Sequence, residues 1–152
     1  LNLPHWLAAS NVFHEVADKI VWYGYGPRIG AIGERWIAPA WGNDYWAVLQ
    51  GSKVTLNRHG EIACGYANNM RLFEATGAGA CLVTEAAPNL ADYFEPAEEC
   101  VTYTDAQSLS CAITELCEDD DRRKRIAHAG RRRTMTQHTY QHRALRFLGY
   151  VL

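Results

Sequence analysis

Arg71 and Glu74 have the clearest potential for chemistry in this sequence, because they stand together near the start of a short helical stretch. Residues 68–80 read NNMRLFEATGAGA, and CLVT follows directly as a buried strand. The first turn of a helix presents free N–H groups and a partial positive charge, which attract anions. An arginine and a carboxylate beside such an end predict a site for a phosphate-bearing ligand.

The helix that positions these two residues is predicted over 69–76. Asn68 is its predicted N-cap, since a side-chain amide oxygen can accept hydrogen bonds from the first free N–H groups. Gly77 and Gly79 predict its end and a tight turn into the strand. The positions predicted to form its apolar face are Met70, Phe73 and Gly77.

Strands and helices alternate along the rest of the chain. Runs of β-branched and aromatic residues predict strands, whereas periodic apolar positions behind a cap residue predict helices. Such alternation favours right-handed βαβ units, and therefore an α/β fold with a mainly parallel sheet. The predicted strands are 19–23, 35–38, 53–57, 80–84 and 100–103. The other predicted helical segments are 13–18, 43–50, 89–94, 105–116, 121–133 and 139–148.

The helix over 105–116 has the most regular pattern. Asp105 is its predicted N-cap, because a carboxylate accepts hydrogen bonds from the first turn. Its apolar positions recur at helical spacing and predict one buried face. These positions are Leu109, Ala112, Ile113 and Leu116.

Ligands of parallel α/β sheets bind beyond the carboxyl ends of the strands. The segments that follow the predicted strands are therefore expected to gather at one edge of the sheet, beside the N-terminus of the 69–76 helix. These segments are 24–27, 39–42, 58–59 and 85–88.

Composition places the chain among globular domains. Its 152 residues, 48% of them hydrophobic and 21% charged, suit one domain with a sizeable core. Within it we expect a helical segment over 1–18, an α/β core over 19–118 and helices over 119–152. A net charge of −2 provides no overall reason to expect nucleic acid. The chain opens at Leu1 rather than methionine, which suits a fragment or a processed chain.

The cysteines and the hydropathy pattern indicate a cytoplasmic protein. Five cysteines form an odd set without a C-x-x-C pair, so reduced thiols are expected. No apolar run approaches the ~20 residues of a membrane span, and no signal-peptide pattern opens the chain.

Several motifs, in this order along the chain, resemble the C-terminal domain of GT-B glycosyltransferases. The specific parts are MRLFEATGAG over 70–79 and HTYQHR over 138–143. The group most similar is the glycosyltransferase-like domain also found in spore-maturation proteins, and the resemblance covers nearly the whole chain from about residue 19. Supporting segments are LNRHG over 56–60, VTY over 101–103, IAHAG over 126–130, and GYGP over 24–27, which is similar to a family GDGP loop.

The resemblance implies a Rossmann-like, three-layer α/β/α domain that binds the nucleoside-diphosphate sugar of a hexosyltransferase. It places Glu74 at the glutamate that holds the nucleotide ribose, and Arg71 with the helix end at the diphosphate. Trp41 would stack on the base. No metal or cofactor is implied, because basic side chains and backbone dipoles take the place of a metal ion. The further donor-binding candidates are Asn69, Met70, Arg58, His59, Tyr25 and Gly26.

Two departures from the family pattern limit what the resemblance implies. Many retaining members carry a second glutamate eight residues before the first, where this chain has Tyr66. Full enzymes also have an N-terminal acceptor-binding domain, which is missing from this chain. We therefore expect a donor-binding half that does not catalyse transfer alone.

Each feature also has a plainer interpretation. Arg71 and Glu74 have the spacing of a surface ion pair worth ~0.3 kcal/mol. Acidic residues 119–121 precede a basic helix, so a helix cap is favoured over a metal-binding D-x-D. His138 and His142 have the spacing of a metal pair but lack further ligands nearby in the sequence, so a helix-surface or domain-closing role is favoured.

Two other function classes stay open at this level. The basic stretches 122–125 and 131–133 suit a solvated helix or a docking surface for the missing domain, and only secondarily an RNA-binding module. A non-catalytic Rossmann-like protein-interaction domain would have the same fold with an empty donor pocket.

Overall fold

The computed structural model of the protein describes residues 21–23, 36–37, 39–59 and 61–151. The helix predicted over 13–18 and the candidate residues Tyr25 and Gly26 lie outside these residues.

All described strands run parallel to their neighbours. β1 (Trp22–Tyr23) pairs with β2 (Trp36–Ile37) in a two-stranded sheet. A three-stranded sheet has the order β3 (Val54–Asn57), β4 (Cys81–Glu85) and β5 (Val101–Tyr103). The predictions of an α/β fold and of a mainly parallel sheet are confirmed.

Five α-helices occur in the described part of the chain, each close to a predicted helical segment. They are α1 (Gly42–Gly51), α2 (Arg71–Ala78), α3 (Ala106–Glu118), α4 (Asp120–Gln137) and α5 (Tyr140–Val151). Short 3₁₀ turns occupy Glu61–Ala63 and Leu90–Asp92. None of the described helices is both long enough and apolar enough to span a membrane.

The sheet of β3, β4 and β5 lies between two helical layers. Successive side chains of a strand point to opposite faces, and β4 shows this directly. Cys81 and Val83 pack in one core cluster with apolar residues of α3, whereas Leu82 packs in a second with Leu72 and Ala75 of α2. The predicted three-layer α/β/α arrangement is therefore confirmed.

The helix predicted after Asp105 forms as expected. The Asp105 carboxylate accepts a 2.8 Å hydrogen bond from Ser108 N, and Ser108 Oγ in turn accepts from Asp105 N, which makes a capping box. All four predicted apolar positions are buried: Leu109, Ala112, Ile113 and Leu116.

The start of α2 differs from the prediction. The helix begins at Arg71 with Met70 as its N-cap, and no side chain caps it. Asn68 is exposed, and Asn69 donates from its side chain to the carbonyl of Arg58, 3.0 Å away. The Asn69 side chain connects the loop before α2 to the end of β3, and the helix begins two residues later than predicted.

The buried face of α2 also differs from the prediction. Leu72, Ala75 and Thr76 face the core, whereas Met70 is 64% exposed. In a helix of eight residues two apolar stripes fit the sequence, and contact with the core around Leu82 selects the one that contains Leu72. Gly77 lies inside the helix; Gly79 ends it, with a φ of +94° that favours glycine.

Candidate functional site

The carboxyl ends of β3 and β4 are joined through His59 and Glu85. The His59 N–H donates to Glu85 Oε2 at 3.1 Å, and His59 Nε2 lies 3.0 Å from the Glu85 carbonyl oxygen. A carbonyl oxygen can only accept, so Nε2 carries the proton. The two strand ends thus meet at one edge, as the sequence predicts for 58–59 and 85–88.

Buried polar pairs beneath this edge hold the strands in register. Asn57 donates from its side chain to Thr84 Oγ1 at 2.9 Å, and the Tyr103 hydroxyl donates to the Asn57 carbonyl at 2.9 Å. All three side chains are almost completely buried. Buried hydrogen bonds therefore hold the strand ends that carry the candidate residues in place.

The loop before α2 reaches the same edge. Asn69 Nδ2 donates to the carbonyl of Arg58, the residue immediately before His59. The structure therefore brings the predicted residues Arg58, His59 and Asn69 together with Glu85. Glu85 was noted in the sequence only as part of a strand-end segment.

A second cluster surrounds Glu74 on the first turn of α2. Tyr45, from α1, donates its hydroxyl to Glu74 Oε2 at 2.5 Å. Arg71 Nε lies 3.6 Å from the same oxygen, and the Arg71 guanidinium stands 5.3 Å from the centre of the Tyr45 ring. Burial, followed by the hydrogen bond to Glu74, raises the pKa of Tyr45, so the phenol stays protonated and donating.

The two predicted contact residues at the rim of this cluster are exposed. Trp41 is 68% exposed and directly precedes α1, four residues before Tyr45. Met70 is 64% exposed, and its sulfur lies 3.9 Å from the Tyr140 hydroxyl. Neither the exposed Trp41 nor the half-exposed Trp46 lies in the core.

Several buried polar atoms at this end of the molecule have no hydrogen-bond partner among the described residues. They include His59 Nδ1, Asn69 Oδ1 and Arg71 Nε, the last of which has only the ion contact with Glu74. An unpaired buried polar atom costs about 1–3 kcal/mol. Three of the predicted donor-binding residues therefore carry a polar atom without a described hydrogen-bond partner.

The other candidates make structural contacts within the domain. The helix cap predicted in 119–121 forms, whereas His138 is half-buried among aromatic rings rather than on a helix surface. Asp119 caps α4 by accepting a 2.8 Å hydrogen bond from Arg122 N. His138 packs against the rings of Phe73 and Phe94, with centroid distances of 5.1 and 5.7 Å. No three His, Cys, Asp or Glu side chains of the described segments are placed to hold a metal ion.

The two most buried cysteines are not suited to act as nucleophiles. All five are free, and the two most buried are Cys81 and Cys100. Burial raises the pKa of Cys81 to about 11 and that of Cys100 to about 12, so both stay protonated at neutral pH.

The buried His59 and the half-buried His138 are expected to make stability depend on pH. Burial lowers the pKa of both His59 and His138 below the ordinary 6.5. The unfolded chain then binds more protons than the folded one as pH falls below 6.5, so the free energy of unfolding should fall in that range. Urea denaturation between pH 7.5 and 5 measures this slope, and His59→Gln should reduce it. An equal slope in wild type and variant would exclude His59 as a contributor.

Comparisons with known proteins agree with this architecture. The family described as glycosyl transferase-like matches residues 8–149. Among solved structures, sucrose-phosphate synthase from Thermosynechococcus elongatus is similar, with a TM-score of 0.64 and 20% identity. The similarity covers 79% of this chain but 30% of that one, so this chain spans under a third of that enzyme. A comparison with curated protein sequences finds no significant match. Because the family match extends over nearly its whole length, the chain belongs to the glycosyl transferase-like family.

Proposed function

We propose that this chain is the donor-binding half of a glycosyltransferase and binds a nucleoside-diphosphate sugar. The observation that carries the proposal is the Glu74 carboxylate, held on the first turn of α2 by Tyr45 and Arg71. Both described contacts use Oε2, and the side chain is 25% exposed. The carboxylate can therefore accept from both hydroxyls of a ribose cis-diol.

The surroundings of Glu74 supply the other parts that such a ligand needs. Arg71 is 37% exposed at the start of α2, where its guanidinium and the helix end would neutralise a diphosphate. The exposed Trp41 ring offers a face on which a base can stack. The leaving diphosphate gains charge during sugar transfer, so the same groups would stabilise that step.

The proposed enzyme has further parts beyond this chain. An acceptor-binding domain would face the donor site, and sugar transfer would need both halves. No catalytic residue is assigned on this half, and Tyr66, at the position of the family's second glutamate, is 54% exposed. We propose neither a metal ion nor another cofactor, since Arg71 and the helix end occupy the place where a metal would act.

Titration calorimetry with a panel of UDP-, GDP-, ADP- and dTDP-sugars tests this function. At least one should bind with a dissociation constant in the range of typical KM values, about 1 μM to 1 mM. Free hexoses serve as the control, because they lack the groups that Glu74, Arg71 and Trp41 would contact. A complete lack of saturable binding across the panel would contradict the proposal.

One observation favours a second candidate, a non-catalytic interaction domain. α5 has no buried residue, and several large apolar side chains on it are exposed. This alternative expects no nucleotide-sugar binding, whereas a donor domain that also docks its partner through α5 would still bind the ligand. The exposed large apolar residues of α5 are Tyr140, Leu145, Phe147, Leu148, Tyr150 and Val151.

A further inference from the structure

His59 and Asn69 each have a buried atom with no hydrogen-bond partner among the described residues, and the two atoms are of the same chemical kind. The proton on His59 Nε2 is assigned by its carbonyl partner on Glu85, so in the neutral ring Nδ1 bears only a lone pair. Asn69 directs its NH₂ group to the carbonyl of Arg58, so the unpaired atom Oδ1 is a carbonyl oxygen. Both unpaired atoms are therefore hydrogen-bond acceptors.

The two acceptors flank one peptide unit. The Arg58 carbonyl accepts from Asn69, and the N–H of His59 in the same peptide donates to Glu85. His59 is only 5% exposed, and its ring is held at Nε2. The acceptors are thus fixed by three hydrogen bonds at the carboxyl edge of β3 and β4, and they are shielded from solvent.

We propose that His59 Nδ1 and Asn69 Oδ1 bind hydroxyl groups of the nucleotide-sugar donor, an inference that rests on the function proposed above. Phosphate oxygens at neutral pH can only accept, so they cannot pair with two acceptors. Base edges alternate donors and acceptors, whereas a hydroxyl can always rotate to donate. Sugar hydroxyls therefore match the chemistry of both acceptors.

Under this assignment, different residues bind the charged and the uncharged groups of the donor. Arg71 and the start of α2 provide positive charge for the diphosphate, whereas His59 and Asn69 provide neutral acceptors. Burial lowers the pKa of His59, which keeps its ring neutral and accepting at pH 7. The structure therefore separates phosphate recognition from hydroxyl recognition, which the sequence left undivided for these residues.

His59→Gln is the substitution that tests the pair. A glutamine amide can still donate to the Glu85 carbonyl from the position of Nε2, but it has no lone pair at the position of Nδ1. His128→Gln is the matched control, because His128 is exposed on α4. Both variants are titrated with a nucleoside-diphosphate sugar that binds wild type, with the matching nucleoside diphosphate, and with its 2′-deoxy form.

The three ligands distinguish the source of the hydroxyl. Loss of one hydrogen bond weakens binding about 3- to 10-fold. If that loss is confined to the sugar-bearing ligand, the hydroxyls belong to the transferred sugar. If it also occurs with the nucleoside diphosphate, His59 does not bind the transferred sugar and the assignment is overturned, because each ribose hydroxyl has one proton and both are assigned to Glu74. An equal loss with all three ligands, or no loss, would overturn the assignment.

Nitrogen NMR of the wild-type imidazole tests the assignment even if the His59→Gln variant does not fold. The His59 Nδ1 resonance should be that of an unprotonated nitrogen and should move upfield when the sugar ligand binds. An unchanged resonance with bound ligand would overturn the hydroxyl assignment alone. Failure of wild type to bind any nucleotide sugar would overturn the proposed function, and this inference with it.

Discussion

Glu74→Ala should weaken binding of a nucleoside-diphosphate sugar by at least about 100-fold. A carboxylate that accepts two ribose hydroxyls makes two charge-assisted hydrogen bonds, each worth about 1.5–3 kcal/mol. Every 1.4 kcal/mol is a factor of about ten in affinity, so the lower limit of that range already gives 100-fold. Calorimetry of wild type and variant with the same ligand measures the change.

The fold should survive this substitution. Glu74 is 25% exposed at its side chain, and its contact with Arg71 is a 3.6 Å ion pair at the surface of α2. We expect the free energy of unfolding to fall by about 1–2 kcal/mol, because the Tyr45 hydroxyl and Arg71 each lose a partner whereas alanine favours the helix. Glu118→Ala, at an exposed position on α3, is the matched control and should leave ligand affinity unchanged.

The Tyr45→Phe variant tests how much of the ligand affinity depends on the orientation of the Glu74 carboxylate, because the charge of Glu74 is unchanged. This variant keeps the ring under the Arg71 guanidinium but removes the hydroxyl that holds Oε2. We expect a loss of about 3- to 10-fold, the value of one hydrogen bond, smaller than that for Glu74→Ala. Unchanged affinity in Glu74→Ala would exclude ribose recognition by this residue, whatever the result for Tyr45.

Gly130→Ala should cause a large loss of stability, about 1–3 kcal/mol. A Cβ at this position of α4 would lie 2.5 Å from the Glu99 carbonyl oxygen and 3.2 Å from Thr76 Cγ2. The carbonyl belongs to the backbone and cannot rotate away as a side chain could. The helix must therefore move away from Glu99, which also disturbs its contact with α2, where the hydroxyls of Thr76 and Thr134 are 2.6 Å apart.

Gly149→Ala is the matched control for this prediction. It places the same methyl group in α5, where nothing lies within 4 Å of the added Cβ. Only the higher helix propensity of alanine then contributes, so the free energy of unfolding should stay equal or rise by up to about 1 kcal/mol. Urea denaturation of the three proteins measures the difference. A Gly130→Ala protein as stable as wild type would show that α4 approaches α2 less closely than described.

Local sequence patterns predict those elements whose stabilising contacts lie within a few residues of each other. The Asp105 cap and the buried face of α3 depend on contacts three or four residues apart, and the structure confirms each of them. The start of α2 depends instead on Asn69, whose amide is bonded to Arg58, eleven residues earlier. A local cap pattern cannot exclude such a distant partner, so the predicted Asn68 cap is wrong.

The partners that orient the candidate site are still further apart along the chain. Tyr45 and Glu74 are separated by 29 residues, and His59 and Glu85 by 26. No spacing within one element links them. The position of Glu74 could be predicted through the family resemblance, whereas Tyr45 was missed because its only distinguishing property is the contact that α1 makes with α2.

The sequence by itself determined the α/β class, the parallel sheet and the family, since periodic apolar positions and short motifs are encoded within single elements. Tertiary structure alone decided which oxygen of Glu74 is held and which atoms of His59 and Asn69 are left as acceptors. Those properties depend on how separate strands and helices pack. Hydrogen-bond direction is assigned only when the distant partner, here a backbone carbonyl that can only accept, is known.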